Sequence, residues 1–235
     1  CTFIIKNDNT LWSSGRNYFG QLGDGTQNNR TIFTLMAENV KDVSVSDFST
    51  FVLKTDNTLW ACGSNAFGQL GDRTTESTYT LKKVANNVKS VSAGVFHTVI
   101  QKLDNTVWVC GDNENGQFGN GSDDYSSNVF VKIPILDVKI VRAGPSGTFV
   151  IKNDNTLWAC GYGFFFGNST YYNTHIDTFL KIADNVKNVQ VGQQNTFIIK
   201  EDNSILGCGE NNFGELGENA ILHRSNLDFI NLVLP

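Results

Sequence analysis

The chain carries short runs of apolar and β-branched residues that are typical of β-strands. From Val88 to Gly111 the runs VKSVSAG, HTVIQK and TVWVCG follow one another, separated by two and three residues. In VKSVSAG apolar and polar residues alternate and β-branched residues are frequent, which is typical of a strand. The 3.6-residue periodicity of an amphipathic helix is not found along the chain. The pattern therefore predicts an all-β fold.

Several of the predicted strands are apolar on both faces. In TFVLKTDNTLWACG, which ends at Gly63, the apolar runs FVL and LWAC flank a polar turn. A strand that is apolar on both faces is covered on both faces, so the pattern predicts sheets that stack on sheets. A fourth strand of each unit is expected at segments such as Leu81–Ala85 and Phe130–Ile135.

The same pattern recurs five times along the chain. An Asp-Asn pair recurs at intervals of 48, 48, 50 and 48 residues, beginning at Asp8, Asp56, Asp104, Asp154 and Asp202. A Trp follows the pair in the first four copies, and a Cys-Gly pair follows in the last four. The motif FGQLG, or a variant of it, then occurs in every copy except the fourth. Four strands in a repeat of this length predict β-propeller blades. We predict one domain over 1–235, with repeats at approximately 1–48, 49–96, 97–146, 147–194 and 195–235.

The recurring polar residues have structural explanations. Asp and Asn tolerate positive φ and bond to their own backbone, so the Asp-Asn pair predicts a hairpin turn. The glycines after the Trp permit a tight loop. We expect Leu70 to plug this loop from below and Gln69 to satisfy its backbone groups.

The cysteines recur too. Cys62, Cys110, Cys160 and Cys208 occupy equivalent places one repeat apart, which is too far for a disulfide. We predict that they are small buried residues in the reduced state, which favours a cytoplasmic location.

Candidate metal and catalytic residues are few. We expect His97 to pack inside the fold, while His175 and His223 have no neighbouring Cys or His. The acidic loops at 23–29 and 119–126 lack the ligand spacing of a calcium loop. Because the reactive residue types are periodic, they indicate scaffold rather than a catalytic constellation. We predict no metal, no cofactor and no catalytic residue.

Charge limits the classes of partner. The chain has 18 basic and 23 acidic residues, for a formal net charge of −5, and no basic tail. We therefore expect no nucleic-acid partner. No apolar run reaches the roughly 20 residues of a membrane helix, so we expect no membrane span.

The motif DNTLWACGxNxFGQLG, together with VSAGxxHT at Val91–Thr98, closely resembles the repeat of the regulator of chromosome condensation family. The resemblance covers essentially the whole chain and implies a propeller whose loops bind other proteins. Members of the family include an exchange factor for the small GTPase Ran, chromatin binders and bacterial effectors. The DNTLW variant and the Asn- and Phe-rich composition indicate a bacterial member.

The family's usual propeller has seven blades, whereas this sequence contains five repeats. A VKxVxxG strand is absent before Cys1 and after the last repeat. Two interpretations follow: a fragment of a seven-bladed propeller, which we favour, or five blades that close on themselves with an altered seam.

The fourth repeat departs from the pattern and supplies the candidate binding site. Its loop reads GYGFFFGNSTYYNTHID, with aromatic residues in place of the usual Asn, Gln and Leu. Aromatic residues are good anchors for protein partners. We predict a protein-binding surface made of Tyr162, Phe164, Phe165, Tyr171 and Tyr172. The alternative is that the phenylalanines plug the loop, in which case the tyrosines are the better candidates for exposure.

These observations favour a non-enzymatic protein-interaction module that presents variable loops on a propeller face. One alternative is a guanine-nucleotide exchange factor or another regulator of a small GTPase. The intervals of 48 to 50 residues, however, leave no room for the inserted hairpin that the Ran exchange factor uses. Another alternative is a cell-surface adhesin or carbohydrate binder, for which the tyrosines would also serve.

Overall fold

The computed structural model describes residues 1–171, 173–217 and 226–232. Within them, 19 strands form five antiparallel sheets, and two short 3₁₀ turns lie at Gly163–Phe165 and Ser169–Tyr171. Strands that are consecutive in sequence are neighbours in each sheet. The all-β prediction is therefore confirmed.

The strands are numbered in chain order. The first sheet contains β1 to β3, which span Thr2–Ile5, Leu11–Gly15 and Arg30–Ala37. The second contains β4 to β7, at Val40–Val45, Ser49–Lys54, Leu59–Gly63 and Thr78–Ala85. The third contains β8 to β11, at Val88–Ala93, His97–Lys102, Val107–Asp112 and Ser126–Lys132. The fourth contains β12 to β15, at Val138–Ala143, Gly147–Lys152, Leu157–Tyr162 and His175–Ala183. The fifth contains β16 to β19, at Val186–Val191, Asn195–Lys200, Ile205–Gly209 and Asn226–Asn231.

The chain divides into two compact units. The first comprises Cys1–Asp112 and Tyr125–Lys132 and contains the first three sheets. The second comprises Asn113–Asp124 and Ile133–Pro235 and contains the other two. The loop Asn113–Asp124, which connects the last two strands of the third sheet, belongs to the second unit. The single domain over 1–235 and its repeat limits stay a prediction.

The fourth strand of a sheet begins earlier than predicted. Strand β7 starts at Thr78 rather than Leu81, and β11 spans Ser126–Lys132 rather than Phe130–Ile135. A bulge in each pairing allows the polar start of these strands to join the sheet, and Gly63 pairs with Thr78. Hydrophobic patterning missed this start because its residues are polar.

The Asp-Asn pair forms the predicted hairpin turn. Asn9 has a φ of 62°, and the Asp8 carboxylate accepts hydrogen bonds from the backbone N–H and the hydroxyl of Thr10, at 3.0 and 2.6 Å. These bonds hold the pKa of Asp8 below its usual value. The Trp12 indole then donates to the Thr10 hydroxyl at 2.9 Å. The turn therefore fixes the tryptophan as well as the hairpin.

Backbone hydrogen bonds tie consecutive repeats together within each unit. In the first unit, the N–H of Val40 donates to the carbonyl of Asn9 at 2.8 Å, and the N–H of Val88 donates to the carbonyl of Asn57 at 3.0 Å. In the second unit, the N–H of Val186 makes the same bond to Asn155. The hairpin turn of one sheet thus anchors the first strand of the next.

The core lies between consecutive sheets. In the first unit, Phe51, Leu53 and Leu59 form one buried cluster with Val91 and Ile100 of the next sheet. The second unit repeats the arrangement, with a cluster that contains Phe149, Ile151, Leu157, Val189 and Ile198. The prediction that sheets stack on sheets is confirmed within each unit.

In the first four loops a glycine receives an apolar side chain from the following sheet. A Cβ atom at Gly71 would lie 2.5 Å from the Phe130 ring, and one at Gly23 would lie 3.6 Å from Leu81 Cγ. In the second unit, Gly119 faces Phe179 and Gly167 faces Phe229 in the same way. These glycines therefore leave room for the ring or branched side chain of the next sheet.

We expect Gly71→Ala to destabilise the protein far more than Gly25→Ala. Both glycines have positive φ, of 70° and 80°, so both substitutions carry left-handed backbone strain of about 1 kcal/mol. Only Gly71→Ala adds a clash with Phe130, since the nearest atom to a Cβ at Gly25 is 3.7 Å away. The clash adds about 1–3 kcal/mol. Urea unfolding followed by tryptophan fluorescence measures both losses, and equal losses would contradict this packing.

Candidate protein-binding surfaces

A buried asparagine organises the loop that follows the third strand. The Asn65 Oδ1 atom accepts from the Leu70 N–H at 2.9 Å, and Nδ2 donates to the carbonyls of Thr74 and Glu76 at 3.0 and 3.2 Å. Three other loops place an asparagine oxygen on the N–H of the plug residue: Asn17 with Leu22, Asn113 with Phe118, and Asn211 with Leu216. This role was not predicted, although the fixed position of these asparagines in the repeat was a signal for it.

The predicted roles of Gln69 and Leu70 are confirmed. The Gln69 Oε1 atom accepts from the Phe67 N–H at 3.0 Å, and Leu70 is buried in the core. The Gln69 carbonyl accepts from the next sheet, through the Thr98 hydroxyl at 2.8 Å and the Cys110 thiol at 3.2 Å. The loop is thus bonded to the following sheet as well as to itself.

The four periodic cysteines are buried and reduced, as predicted. Each thiol donates to the carbonyl of the residue before the plug in the preceding loop: Cys62 to Gln21, Cys110 to Gln69, Cys160 to Gln117, and Cys208 to Phe165. Burial raises the pKa of these thiols, that of Cys208 to about 12, because desolvation disfavours the thiolate. They are therefore unreactive structural residues.

The fourth loop is built without the asparagine. Gly163 begins a 3₁₀ turn, and its N–H donates to the Thr174 carbonyl at 2.9 Å. A side chain at Gly163 would collide with the Tyr171 carbonyl, so the folded-back segment requires glycine there. Phe166 is fully buried as the plug, and the Phe165 carbonyl accepts from Cys208 as Gln117 accepts from Cys160.

The predicted site residues of the fourth loop differ in how far they are buried. Phe165 is 6% exposed and packs in the core of the second unit, so its ring is not available to a partner. Tyr162, Phe164 and Tyr171 are half-buried. Tyr172 lies outside the described residues. The alternative interpretation, in which phenylalanines plug the loop, therefore holds for Phe165 and Phe166.

The accessible residues of this loop form a small aromatic group, which we call the fourth-loop cluster (Tyr162, Phe164 and Tyr171). The rings of Tyr162 and Phe164 are stacked, with centroids 6.5 Å apart. The Tyr162 hydroxyl donates to the Asn173 Oδ1 atom at 2.7 Å, and the Tyr162 ring also meets the His175 ring edge to face at 5.7 Å. These contacts hold the Tyr162 ring in one orientation.

A second aromatic surface lies on loops of the first unit and was missed by the sequence analysis. Four rings pack in a continuous series, which we call the phenylalanine row: Phe19, Phe48, Phe96 and Phe67. Successive ring centroids are 5.0, 5.8 and 4.9 Å apart. Phe67 is 36% exposed, and the other three are half-buried. A groove of about 550 Å³ lies beside Phe48 and is lined in part by Arg16, Gln21 and Asp47.

The phenylalanine row combines two kinds of loop position. Phe19 and Phe67 come from the FGQLG motif, whereas Phe48 and Phe96 each precede the strand that starts with Ser49 or His97. The equivalent residue of the fourth sheet is Ser146, which precedes the strand that starts with Gly147. The change from Phe to Ser at this position was a sequence signal for the row. The row itself could not be predicted from it, because its rings come together from separate loops.

Other candidate residues have structural roles. In the acidic loop 23–29, the Asp24 carboxylate forms an ion pair with Arg30 at 2.5 Å and accepts from Thr26. Among residues 1–171, 173–217 and 226–232, no three His, Cys, Asp or Glu side chains group as metal ligands would. His223 lies outside that part. No helix in the described part of the chain is long and apolar enough to cross a membrane.

His97 is fully buried at the start of β9, as predicted for a packing residue. Burial lowers its pKa from 6.5 to about 4, because desolvation disfavours the charged imidazolium. The ring is therefore neutral in the folded protein at physiological pH.

We expect Asn65→Ala to cost about 3 kcal/mol, because it leaves the Leu70 N–H and two loop carbonyls without their partner. Asn86 is exposed in the connection between β7 and β8, so Asn86→Ala is the matched control and should change stability by less than about 0.5 kcal/mol. Urea unfolding of the two variants measures the difference. Similar stabilities would mean that the asparagine does not hold the loop.

We expect the free energy of unfolding to decrease as the pH is lowered from about 6.5 to about 4, because of His97. The unfolded chain takes up a proton near pH 6.5, whereas the folded chain takes it up only near pH 4. Falling pH therefore favours the unfolded state in this window, by up to about 3 kcal/mol, and above it the ring contributes no pH dependence. His97→Gln should abolish this decrease, and His175→Gln, at an exposed position, should retain it. A wild-type pH profile in His97→Gln would contradict the assignment.

Two family models match the first half of the chain. The regulator of chromosome condensation (RCC1) repeat matches residues 8–53 and 56–101 in one family model, and residues 40–69 and 88–117 in another. No curated protein sequence matches the chain.

Solved structures show the same fold. Human WBSCR16 is 17% identical with a TM-score of 0.86, over 99% of this chain and 65% of that protein. Yeast RCC1 (Prp20), solved with Kap60 bound, is 14% identical with a TM-score of 0.81, over 96% of this chain and 57% of that protein. The chain thus spans about three fifths of the length of these proteins. The five sheets thus have the fold of β-propeller blades, and residues 8–117 match the regulator of chromosome condensation repeat.

Proposed function

We propose that the chain is a non-enzymatic protein-interaction module. The observation that carries this proposal is that polar and aromatic side chains of the loops have different roles. The repeated polar residues are engaged in hydrogen bonds to the chain itself, as those of Asn65 and Asp8 illustrate. Several aromatic residues that remain accessible, among them Phe67 and Tyr162, lie on loops or at the strand end that leads into one. Rings of this kind supply much of the binding energy in protein interfaces.

The phenylalanine row is the stronger of two candidate surfaces. Its four rings are already packed against one another, with neighbouring centroids 4.9–5.8 Å apart. A partner that covers them therefore loses little side-chain entropy on binding. The groove beside Phe48 carries both an Arg and an Asp, which supply polar contacts at the rim of an apolar centre.

The fourth-loop cluster is the second candidate surface. Its support is the departure of this loop from the repeat: the organising asparagine is replaced by Gly163, and the loop presents Tyr162, Phe164 and Tyr171 instead. Tyrosine offers apolar area and a hydroxyl on a side chain with few rotamers, which suits recognition of a protein. Tyr172 belongs to the same segment and remains part of the proposal.

The partner is a protein, and its identity does not follow from similarity to proteins of the same fold. The yeast structures describe Prp20 with Kap60 and its binding to Gsp1p and histones, but at 14% identity those partners are properties of Prp20. Exchange activity on a small GTPase is an alternative that a nucleotide-release assay separates from simple binding. The net charge of −5 favours a partner with a basic surface.

The proposal is tested by isolating the partner on immobilised protein and then measuring its affinity for purified variants by calorimetry. We expect Phe48→Ala with Phe96→Ala, or Tyr162→Ala with Phe164→Ala, to weaken binding by about thirtyfold or more. Tyr125→Ala is the control, because Tyr125 is 76% exposed and belongs to neither surface. Circular dichroism confirms that each variant is folded. Wild-type affinity in both double variants would exclude both surfaces.

A further inference from the structure

A groove of about 320 Å³ lies between the second and third sheets, and all of its lining residues belong to the first compact unit. We call it the basic groove. Among the described residues that line it none is acidic, whereas apolar and basic side chains both contribute. It shares no residue with the phenylalanine row or with the fourth-loop cluster. Its principal lining side chains are Arg73, Val84, Ile100, Lys102, Trp108 and Phe130.

Arg73 occupies a backbone position that suits glycine. Its φ is 73°, in the left-handed region, and its N–H donates to the Asn128 carbonyl at 2.9 Å. Gly25 and Gly121 take the equivalent positions of the first and third loops, with φ of 80° and 67°, and their N–H groups donate to the next sheet in the same way. A side chain at this position carries strain that glycine avoids, and such strain is typical of functional sites. We therefore expect the arginine side chain to have a role outside the fold.

The guanidinium group of Arg73 is free to meet an acidic ligand. The side chain is exposed. Ion pairs in the described part of the chain are made by Arg30, Lys82 and Lys181, and none of them involves Arg73. The carboxylate of Asp72, its neighbour in sequence, pairs with Lys82 at 3.4 Å. Arg73 therefore places an uncompensated positive charge at the basic groove.

The second cation of the groove lies on a fixed aromatic ring. The Lys102 Nζ atom is 4.0 Å from the centroid of the Trp108 ring. The Trp108 indole donates to the Thr106 hydroxyl at 2.8 Å, which holds the ring in place. The carboxylate of Asp104, two residues from Lys102, accepts from the N–H and the hydroxyl of Thr106. The ring and the ammonium group are thus set in position before any ligand arrives.

A small side chain helps to leave the basic groove open. Val84 is the equivalent of Met36, because each precedes the alanine that pairs with Leu59 or Leu11. The Met36 Cε atom reaches to within 2.8 Å of the place that a Cβ at Gly23 would take. Valine is two atoms shorter than methionine, so the space that Met36 fills between the first and second sheets is left to the groove at Val84.

We propose that the basic groove binds a short segment of a partner protein in which a carboxylate side chain stands beside an apolar one. The planar guanidinium of Arg73 donates two parallel hydrogen bonds to the carboxylate, and the charge of Lys102 attracts it. The apolar side chain of the partner packs against Val84, Ile100 and Phe130, which excludes water from the contact.

Charge and size select this occupant. Two cations line the groove, and none of its described lining residues is acidic, so a carboxylate is complementary to it. A volume of about 320 Å³ is at the lower end of the roughly 300–1,000 Å³ of ligand pockets, which suits a few side chains. The chain as a whole has a net charge of −5, which favours a short acidic segment over an extended acidic surface.

Calorimetric titration with capped tripeptides tests the proposal. The probes carry a central Glu with Leu, Val or Phe on each side, and the matched control probes carry Gln in place of Glu. We expect Glu tripeptides to bind and their Gln counterparts to bind about tenfold more weakly or worse, because the charged hydrogen bonds are lost. Added salt should weaken the binding, since the ion pair is partly exposed. Inorganic phosphate is the probe for a plain anion site.

Variants of the chain connect this binding to the groove. Arg73→Gly should weaken binding of the best Glu tripeptide by about tenfold or more, yet it should not lower the midpoint of urea unfolding, because glycine suits the left-handed backbone there. Lys102→Gln should weaken binding by about threefold or more. Lys83→Gln is the matched control: it removes the same charge from an exposed position outside the groove and should bind like the wild type.

Four results would overturn the proposal: no binding by any Glu tripeptide, equal affinity for the Glu and Gln forms, unchanged affinity in Arg73→Gly, or phosphate that binds as tightly as the best tripeptide. The last result would indicate an anion site in which the apolar side chains play no part. None of these measurements involves the phenylalanine row or the fourth-loop cluster, so their outcome is independent of the function proposed above.

Discussion

The covering of sheets that are apolar on both faces is the constraint on which the rest of this structure depends. A strand such as β5, buried from Ser49 to Leu53, exposes apolar side chains to water unless sheets lie on both sides of it. One blade cannot satisfy that requirement alone, and the solution is a series of blades. The loop glycines, the buried thiols and the backbone bonds at Asn9 and Asn57 are consequences, because each lets the next sheet approach closely.

The sequence was sufficient to predict the repeated elements of the fold. The Asp-Asn turn, the plug at Leu70 and the buried cysteines are local or periodic, so five copies of one pattern determine them. The start of β7 at Thr78 was not predictable from hydrophobicity, because a bulge brings polar residues into the sheet. The role of Asn65 was missed because its partners, the carbonyls of Thr74 and Glu76, come together only when the loop has closed.

The candidate binding surfaces were harder to predict for a different reason. The sequence marked the fourth loop correctly as a departure, but it could not divide the rings into buried and accessible. Phe165 is buried whereas its sequence neighbour Phe164 is half-buried, and both lie in the 3₁₀ turn that begins at Gly163. The phenylalanine row joins residues from separate loops, 29 positions apart for Phe19 and Phe48, so no local pattern reveals it.

The buried thiols also provide built-in probes of local unfolding. Each of the last four sheets contains one cysteine whose thiol is shielded and weakly acidic, and the exposed Cys1 is the internal reference. An alkylating reagent can reach a shielded thiol only after the surrounding blade has opened. The rates of labelling at the four positions, resolved by mass spectrometry, therefore report how often each of these four blades opens locally, without any added probe.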